Sequence, residues 1–350
     1  MRPTRLEPIF VPRIWGVRQL GPLFPDKSGF PEPVGEVWLT GNECRFADGP
    51  FAGKKLGEAW PEMPPEWAGT RANQNAPFPL LVKFIFPADK LSVQVHPSDD
   101  YARRQNKDAG SIGKTEMWYA ITAQPDASVL VGFKPGVTSN DFRRSIAGGK
   151  AEECLEKIII YPGDVVFVPA GTVHTIGPGM VLCEIQQNSD ITYRVYDYGR
   201  LTSEGKPRDL HIDKAFDVLQ FREQSGGKVE PVRIERGPVT ETYYVVCRYF
   251  ATERWEFSER IAAATSSEHF DLLIILEGRG SFECGGCGSS TVYAPAQVWL
   301  VPATLGAYQI TPSSQTVLLR TYVPKSMQDV AQRLADQHVP ESAWSRLVYP

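Results

Sequence analysis

The 350-residue sequence lacks any apolar run of about 18 residues or more, which excludes a helical membrane span. It also lacks a basic excess. Lys and Arg total 37 against 41 Asp and Glu, a net charge of -4, so no cationic surface exists to bind nucleic acid by counterion release. Cysteine is scarce: six residues, spread without the dense spacing of a disulfide framework, fit a reducing compartment. The opening MRPTRLEPIFVPRIWG has neither the apolar stretch nor the small-residue cleavage site of a secretory signal. These absences predict a cytoplasmic protein with no membrane and no nucleic-acid partner. Cys284 and Cys287 alone have metal-like or redox-like spacing. With no second pair and no βαβ context, they read as a glycine-rich hairpin tip.

What is present favours β-structure. Gly 30 and Pro 29 supply turns, while 13 Tyr, 8 Trp and 17 Phe suit strands. The length suits about two domains with buried cores. Between Pro79 and Tyr198 run PLLVKFIF, LSVQVHP, EMWYAIT, SVLVGF, KIIIY, DVVFVPA, MVLCEIQQ and ITYRVYDY, short segments divided by turn residues, which predict an antiparallel sandwich or barrel. A helix is expected within Thr138 to Lys157, capped by Ser139 or Asn140, and another over His211 to Phe221. The polar stretch Gly226 to Lys228 marks a boundary between residues 1–225 and 226–350. A second strand series follows it: TYYVVCRYF, RWEFS, FDLLIILEG, GSFEC, QVWLVPA, YQITP and QTVLLRTYV. A helix from about Ser326 into the mid-340s ends the chain.

The two series share a rhythm. Gly163 leads through a strand to Pro169 and then His174; Ala296 leads likewise to Pro302 and then Ala307. A duplicated unit whose later copy lost its polar centre is the simplest account.

Strand alternation sorts the polar residues. Ser92, Gln94 and His96 share one face, opposite Leu91, Val93 and Val95; Glu184 and Gln186 share another, as do Asp190, Thr192 and Arg194. Glu116 opens an aromatic strand and His174 follows a Pro-Ala-Gly-Thr turn. Any one of these histidines alone would read as structural. Converging from several strands, two imidazoles, a carboxylate and an amide oxygen suit a divalent ion, zinc first, with iron, manganese and cobalt as competitors.

The run Gly163 to Pro169-Ala-Gly171-Thr-Val-His174 resembles the second conserved motif of the cupin superfamily, and Gln94-Val-His96 with Glu116 resembles a variant of its first. PLLVKF, DKLSVQVHP, GKTEMWY, PAGTVHTIGPG and EIQQNSDITYRVYDYGR, in that order, resemble the class I mannose-6-phosphate isomerases, particularly the short bacterial form. PRIWG and GEVWLTG share the family's style, and the likeness fades in the second half. The resemblance implies a mainly β fold of two cupin-like, jelly-roll β-barrels with a few peripheral helices. It implies one zinc ion, or another divalent ion, on Gln94, His96, Glu116 and His174, and interconversion of mannose 6-phosphate and fructose 6-phosphate. It casts Arg194 as catalytic, Lys114 and Glu184 as proton-handling candidates, and Ser92 and Lys83 as substrate or phosphate contacts. The second barrel is expected to bind no metal. His211, His269 and His338 fall outside every motif and read as structural or surface residues. The expected partner is a small sugar phosphate, the expected state a monomer or homodimer. A different metal-dependent cupin enzyme, such as a dioxygenase, and a non-catalytic sugar-phosphate-binding cupin are the alternatives.

Overall fold

The computed structural model describes residues 1–106, 111–202, 204–221, 226–285 and 291–349. Four sheets, antiparallel except where Val348–Tyr349 pairs parallel with Val239–Cys247, stack in layers, and the reason is visible in the burial of the strands. Leu80–Ile85 and Met180–Gln187 are buried at every position, which requires protein on both faces of the sheet. Val82, Phe84, Cys183 and Ile185 point outward into a core shared with Val245, Leu272, Ile274 and Leu319 of the second half. Ile85, Leu182, Trp118 and Val166 point inward, against Val129, Val131 and Ile176 of a smaller facing sheet.

The first half is therefore a sandwich. Its seven-stranded sheet runs Gly227–Lys228, Val165–Val168, Glu116–Ala123, Met180–Gln187, Leu80–Ile85, Val34–Trp38, Ile9–Val17. Its five-stranded sheet runs Tyr193–Tyr196, Val93–Val95, His174–Ile176, Ser128–Phe133, Leu155–Ile159. The second half repeats this with an eight-stranded and a four-stranded sheet, whose interior holds Trp255, Leu273, Trp299, Phe282 and Ile310. The expected mainly β, double jelly-roll architecture is present, with one correction: among the described residues the sheets stay open and no barrel closes. The large sheets carry extra strands and spend their outer faces on each other, so the hydrogen-bond ladder does not wrap around either interior.

Two strands cross the expected division at residue 225. Thr4–Leu6 pairs with Val298–Val301 in the second half's sheet, and Gly227–Lys228 pairs with Val165–Val168 in the first. Helices lie at the periphery, mostly over the outer face of the five-stranded sheet, where Phe142, Ala151, Ala215 and Leu219 cover Val93, Val95 and Val195. The cap of Ser139–Ala147 is Thr138, one residue before the expected Ser139: its hydroxyl accepts from the Asp141 amide and Asp141 answers the Thr138 amide, a reciprocal capping box. His211 starts the helix Ile212–Val218. The terminal helix is split into Met327–Asp336 and Glu341–Trp344, because Pro340 cannot continue the first. Cys44, Cys154, Cys183 and Cys247 are buried free thiols; Cys284 ends a strand, and Cys287 lies outside the described residues. Among the described residues no helix is long and apolar enough to cross a membrane.

Candidate metal centre and active site

Three strands and one loop deliver the centre. His96 follows Val93–Val95, His174 opens its strand, and Glu116 opens the strand Glu116–Ala123, so all three project into the sandwich near one end. Their ligand atoms lie within 4.8 Å of one another, and each side chain is 1% exposed. Each imidazole is oriented from behind. His96 Nδ1 donates to the Ile191 carbonyl at 2.8 Å and His174 Nδ1 to the Thr172 carbonyl at 2.9 Å, which leaves both Nε2 lone pairs facing Glu116. Burial holds both rings neutral: His96 sits well below its ordinary value, with Lys114 and His174 adding to the push, and His174 is lowered to about 4.

Two lone pairs thus face carboxylate oxygens at 3.6 and 3.3 Å with no proton between them. Buried acceptors that converge in this way need donors or a cation among them; the Gln94 amide and the Lys114 ammonium stand there in this structure, and a divalent ion would meet the same lone pairs at once. The donor set fits such an ion. Gln94 reaches the same point with its amide nitrogen, 3.2 Å from His174 Nε2, while its Oε1 accepts from Ser92 at 3.0 Å. As a ligand it would offer Oε1, with the amide turned over.

Lys114 brings the nearest cation, 2.6 Å from Glu116, 3.1 Å from Glu184 and 3.2 Å from His96 Nε2. Burial disfavours its charge, but Glu116 and Glu184 more than offset this, so it is held as an ammonium above its usual range. The Gly113 turn before it is tightly constrained. A Cβ at Gly113 would lie 2.5 Å from the Asp99 nitrogen, and the Lys114 amide donates to Pro97. Asp99 ties this loop down, accepting from Gly113, from the Gln187 amide and from Tyr249 of the second half.

From the centre outward the charges alternate. Glu184 lies 3.4 Å from Lys83, Lys83 lies 3.7 Å from Glu36, and Glu36 accepts both arms of the Arg13 fork at 3.0 and 3.1 Å. Burial raises the Glu184 carboxyl, with Lys114 and Lys83 pulling it back. Burial opposes ionisation of Glu36 as well, yet Lys83, Arg13 and the Trp38 indole lower it to about 2. On the opposite side Arg194 Nε donates to Ser92 at 3.2 Å and its Nη1 to the Asp209 carbonyl.

These groups line one pocket of about 470 Å³. Gln94, Glu116, Lys83, Ser92, Lys114, Glu184 and Arg194 all contribute to its wall, and Asp190 and Thr192 share the Arg194 face as alternation predicted. His96 and His174 lie against Glu116 behind that wall. The sequence reading missed Arg13, Glu36, Arg208 and His211, which also line it. A lone glutamate in the otherwise apolar Val34–Trp38 strand was the available signal for Glu36. His211 is half-buried, and its Nδ1 accepts from the Arg194 amide at 3.3 Å, a contact that only the fold creates.

The second half has the same pairing frame with different residues. Glu116 pairs with Val168 ahead of Pro169, and Asp271 pairs with Val301 ahead of Pro302. Glu184 pairs with Lys83, and Arg320 with Glu253; His174 pairs with Gln94, and Ala307 with Ala264. Alanines thus stand at two ligand places. At the third, Asp271 is engaged by both arms of Arg320 at 2.9 and 3.1 Å, with Glu253 on the remaining nitrogen at 2.5 Å. A guanidinium fills that interior.

No family model matches the chain. It is 35% identical over 319 residues to the probable mannose-6-phosphate isomerase GmuF of Bacillus subtilis, covering 88% of this chain and 96% of that one. It is 34% identical over 291 residues to the mannose-6-phosphate isomerase ManA of the same organism, covering 81% and 88%. Among solved structures, a Bacillus subtilis mannose 6-phosphate isomerase aligns with a TM-score of 0.83 at 31% identity, covering 92% of this chain and 99% of that one. A Salmonella typhimurium phosphomannose isomerase shares the fold, with a TM-score of 0.72 at 16% identity over 92% of this chain and all of that one. With relatives this similar over nearly their whole length, and with a buried His/Glu/His centre in one such sandwich, the chain belongs to the mannose-6-phosphate isomerase family.

Proposed function

We propose that this chain interconverts mannose 6-phosphate and fructose 6-phosphate through a cis-enediol, with one zinc ion per chain on Gln94, His96, Glu116 and His174. The observation that carries the reading is the convergence of two neutral imidazole Nε2 atoms on a buried carboxylate, beside a pocket lined by Arg194, Lys114 and Glu184. Its relatives bear the name of that activity. In this reading residues 1–225 carry the chemistry, and residues 226–350 form a second unit that binds no ion and braces the first through Tyr249. The proposal includes a cytoplasmic location and a monomer or homodimer; analytical ultracentrifugation reads the oligomeric state.

Aldose–ketose exchange moves a proton between C1 and C2 of the opened sugar and needs a base, a donor and charge to meet the developing enediolate. The ion, when bound, supplies positive charge that polarises the substrate oxygens. Arg194 is charged at every working pH and hydrogen-bonded to Ser92, so it meets enediolate oxygen in a fixed orientation. Glu184 and Lys114, 3.1 Å apart, handle the proton between carbon and oxygen. Ser92 braces Arg194 and contacts substrate. Lys83 faces the pocket between Glu36 and Glu184, where it orders the carboxylates as well as meeting the substrate.

The test is a coupled assay with mannose 6-phosphate on zinc-loaded and on chelated protein. Turnover that chelation abolishes and zinc restores supports the proposal. Binding of the sugar phosphate without conversion points to a non-catalytic sensor, and metal-dependent oxygen consumption to a dioxygenase. Arg194→Ala should lower kcat by about 100-fold or more; turnover within a few-fold of wild type in a folded variant removes that role.

A further inference from the structure

The cations around the pocket are not equally committed. Arg13, Lys83 and Lys114 lie 3.0, 3.4 and 2.6 Å from Glu36, Glu184 and Glu116, carboxylates that line the same pocket. Their charge is locally matched. Arg194 differs: among the described residues its side chain meets the Ser92 hydroxyl and the Asp209 carbonyl oxygen, with no carboxylate in ion-pair contact.

Arg208 lines the pocket too, and it is anchored from behind. Its Nε donates to Asp197 Oδ2 at 2.7 Å and its Nη2 to Oδ1, and that same Oδ1 accepts from Arg200 Nη2 at 2.6 Å. Asp197 is 5% exposed and does not reach the pocket surface. One carboxylate thereby fixes two guanidiniums but matches the charge of one. Arg200 has a further contact with Asp89, at 3.4 Å and on an exposed carboxylate, where water screens it. Asp190 also lines the pocket, and its field acts on Lys114. Arg194, without a carboxylate in ion-pair contact, and Arg208, sharing one carboxylate with Arg200, line the same pocket, so this wall favours an incoming anion.

A guanidinium held rigid by its rear edge presents remaining N–H groups to a phosphate without first losing rotamer freedom. We infer that Arg208 takes the phosphate of the substrate on this wall, and that Asp197 is the positioning residue that sets its fork. The inference rests on the sugar-phosphate reading above and deepens it by naming the anion's contact.

Arg208→Ala, Arg208→Lys and Asp197→Asn should be compared with wild type for kcat and KM on mannose 6-phosphate and fructose 6-phosphate, with isothermal titration of inorganic phosphate in parallel. Arg208→Ala should raise KM by about tenfold or more, the loss of a charge-assisted contact, and by more than it lowers kcat. Arg208→Lys should recover part of that loss, and Asp197→Asn should fall between. Inorganic phosphate should bind Arg208→Ala at least about tenfold more weakly. Should the variants fail to fold, arginine modification of the wild-type enzyme by phenylglyoxal, read by peptide mass, replaces them: inorganic phosphate should protect Arg208. Unchanged KM and phosphate affinity in folded Arg208→Ala, or unprotected Arg208 at saturating phosphate, overturns the inference while leaving isomerisation standing. Wild-type protein that binds phosphate through Arg208 but converts neither sugar phosphate overturns the isomerase reading instead.

Discussion

Replacing Arg320 with methionine tests whether the second interior is filled by an ion cluster rather than built for a ligand. In the native fold Arg320 donates to Asp271 and Glu253, which are 0% and 2% exposed, and the arginine side chain is itself 8% exposed. Methionine fills comparable space but strips two interior carboxylates of their guanidinium, leaving Asp271 only its contact with His269 at 3.2 Å. Breaking a buried pair in this way costs about 3–5 kcal/mol, a large part of the 5–15 kcal/mol that typically holds a domain together. Urea unfolding followed by tryptophan fluorescence should show that loss at pH 7. The pH dependence has a definite sign. Arg320 and His269 hold the Asp271 carboxyl below its ordinary 3.8 despite burial, so its stabilisation is complete above that value and disappears as pH falls below it. In Arg320→Met burial is opposed at Asp271 by His269 but no longer by a guanidinium, so the carboxyl rises, acid relieves the variant, and the gap to wild type should narrow as pH falls from 7 toward 4. Adding Asp271→Asn and Glu253→Gln should restore most of the stability, since a neutral interior needs no cation. Folded Arg320→Met should keep its metal content. A loss under about 1 kcal/mol at pH 7, or loss of the ion, would refute the reasoning.

Other perturbations probe the first half. His174→Ala should remove bound metal, read by elemental analysis, and with it turnover, because one of the two aimed Nε2 lone pairs is gone. Glu36→Gln should cost up to about 3 kcal/mol at neutral pH, the equivalent of its fall from 4.5 to about 2. That contribution should hold above pH 4.5 and vanish as pH drops toward 2, so wild-type and variant unfolding curves should converge in acid. Gly35→Ala should lower kcat/KM, because the added Cβ would lie 2.5 Å from the Arg13 Cβ and 2.6 Å from the Trp15 ring, displacing the strand that forms the pocket rim; unaltered kinetics would show that the rim position is unimportant.

Much of the site was legible because strand alternation is a local property. The faces of Ser92, Gln94 and His96, and of Asp190, Thr192 and Arg194, follow from the period of two, whatever lies across the sheet. The second unit's missing ligand was legible at Ala307 through the repeated rhythm ahead of Pro169 and Pro302. Ala264 was not, since its equivalence to Gln94 exists only in strand pairing. Glu36 in GEVWLTG and Arg13 in PRIWG show no partner in sequence, for nothing in Gly35-Glu36-Val37 says that Lys83 lies 3.7 Å away.

By itself the sequence determined the strands, their faces and the identity of the candidate ligands, because these depend on neighbours two to five residues apart. Whereas His174 is turned by Thr172 of its own turn, tertiary structure alone decided which way the His96 imidazole turns, through the Ile191 carbonyl brought up from a distant loop. It also decided that the sheets pack back to back and stay open, and that Asp197 gathers Arg200 and Arg208 behind the pocket. Charge balance in a buried place is a sum over elements far apart in the chain. Its outcome is set when those elements meet.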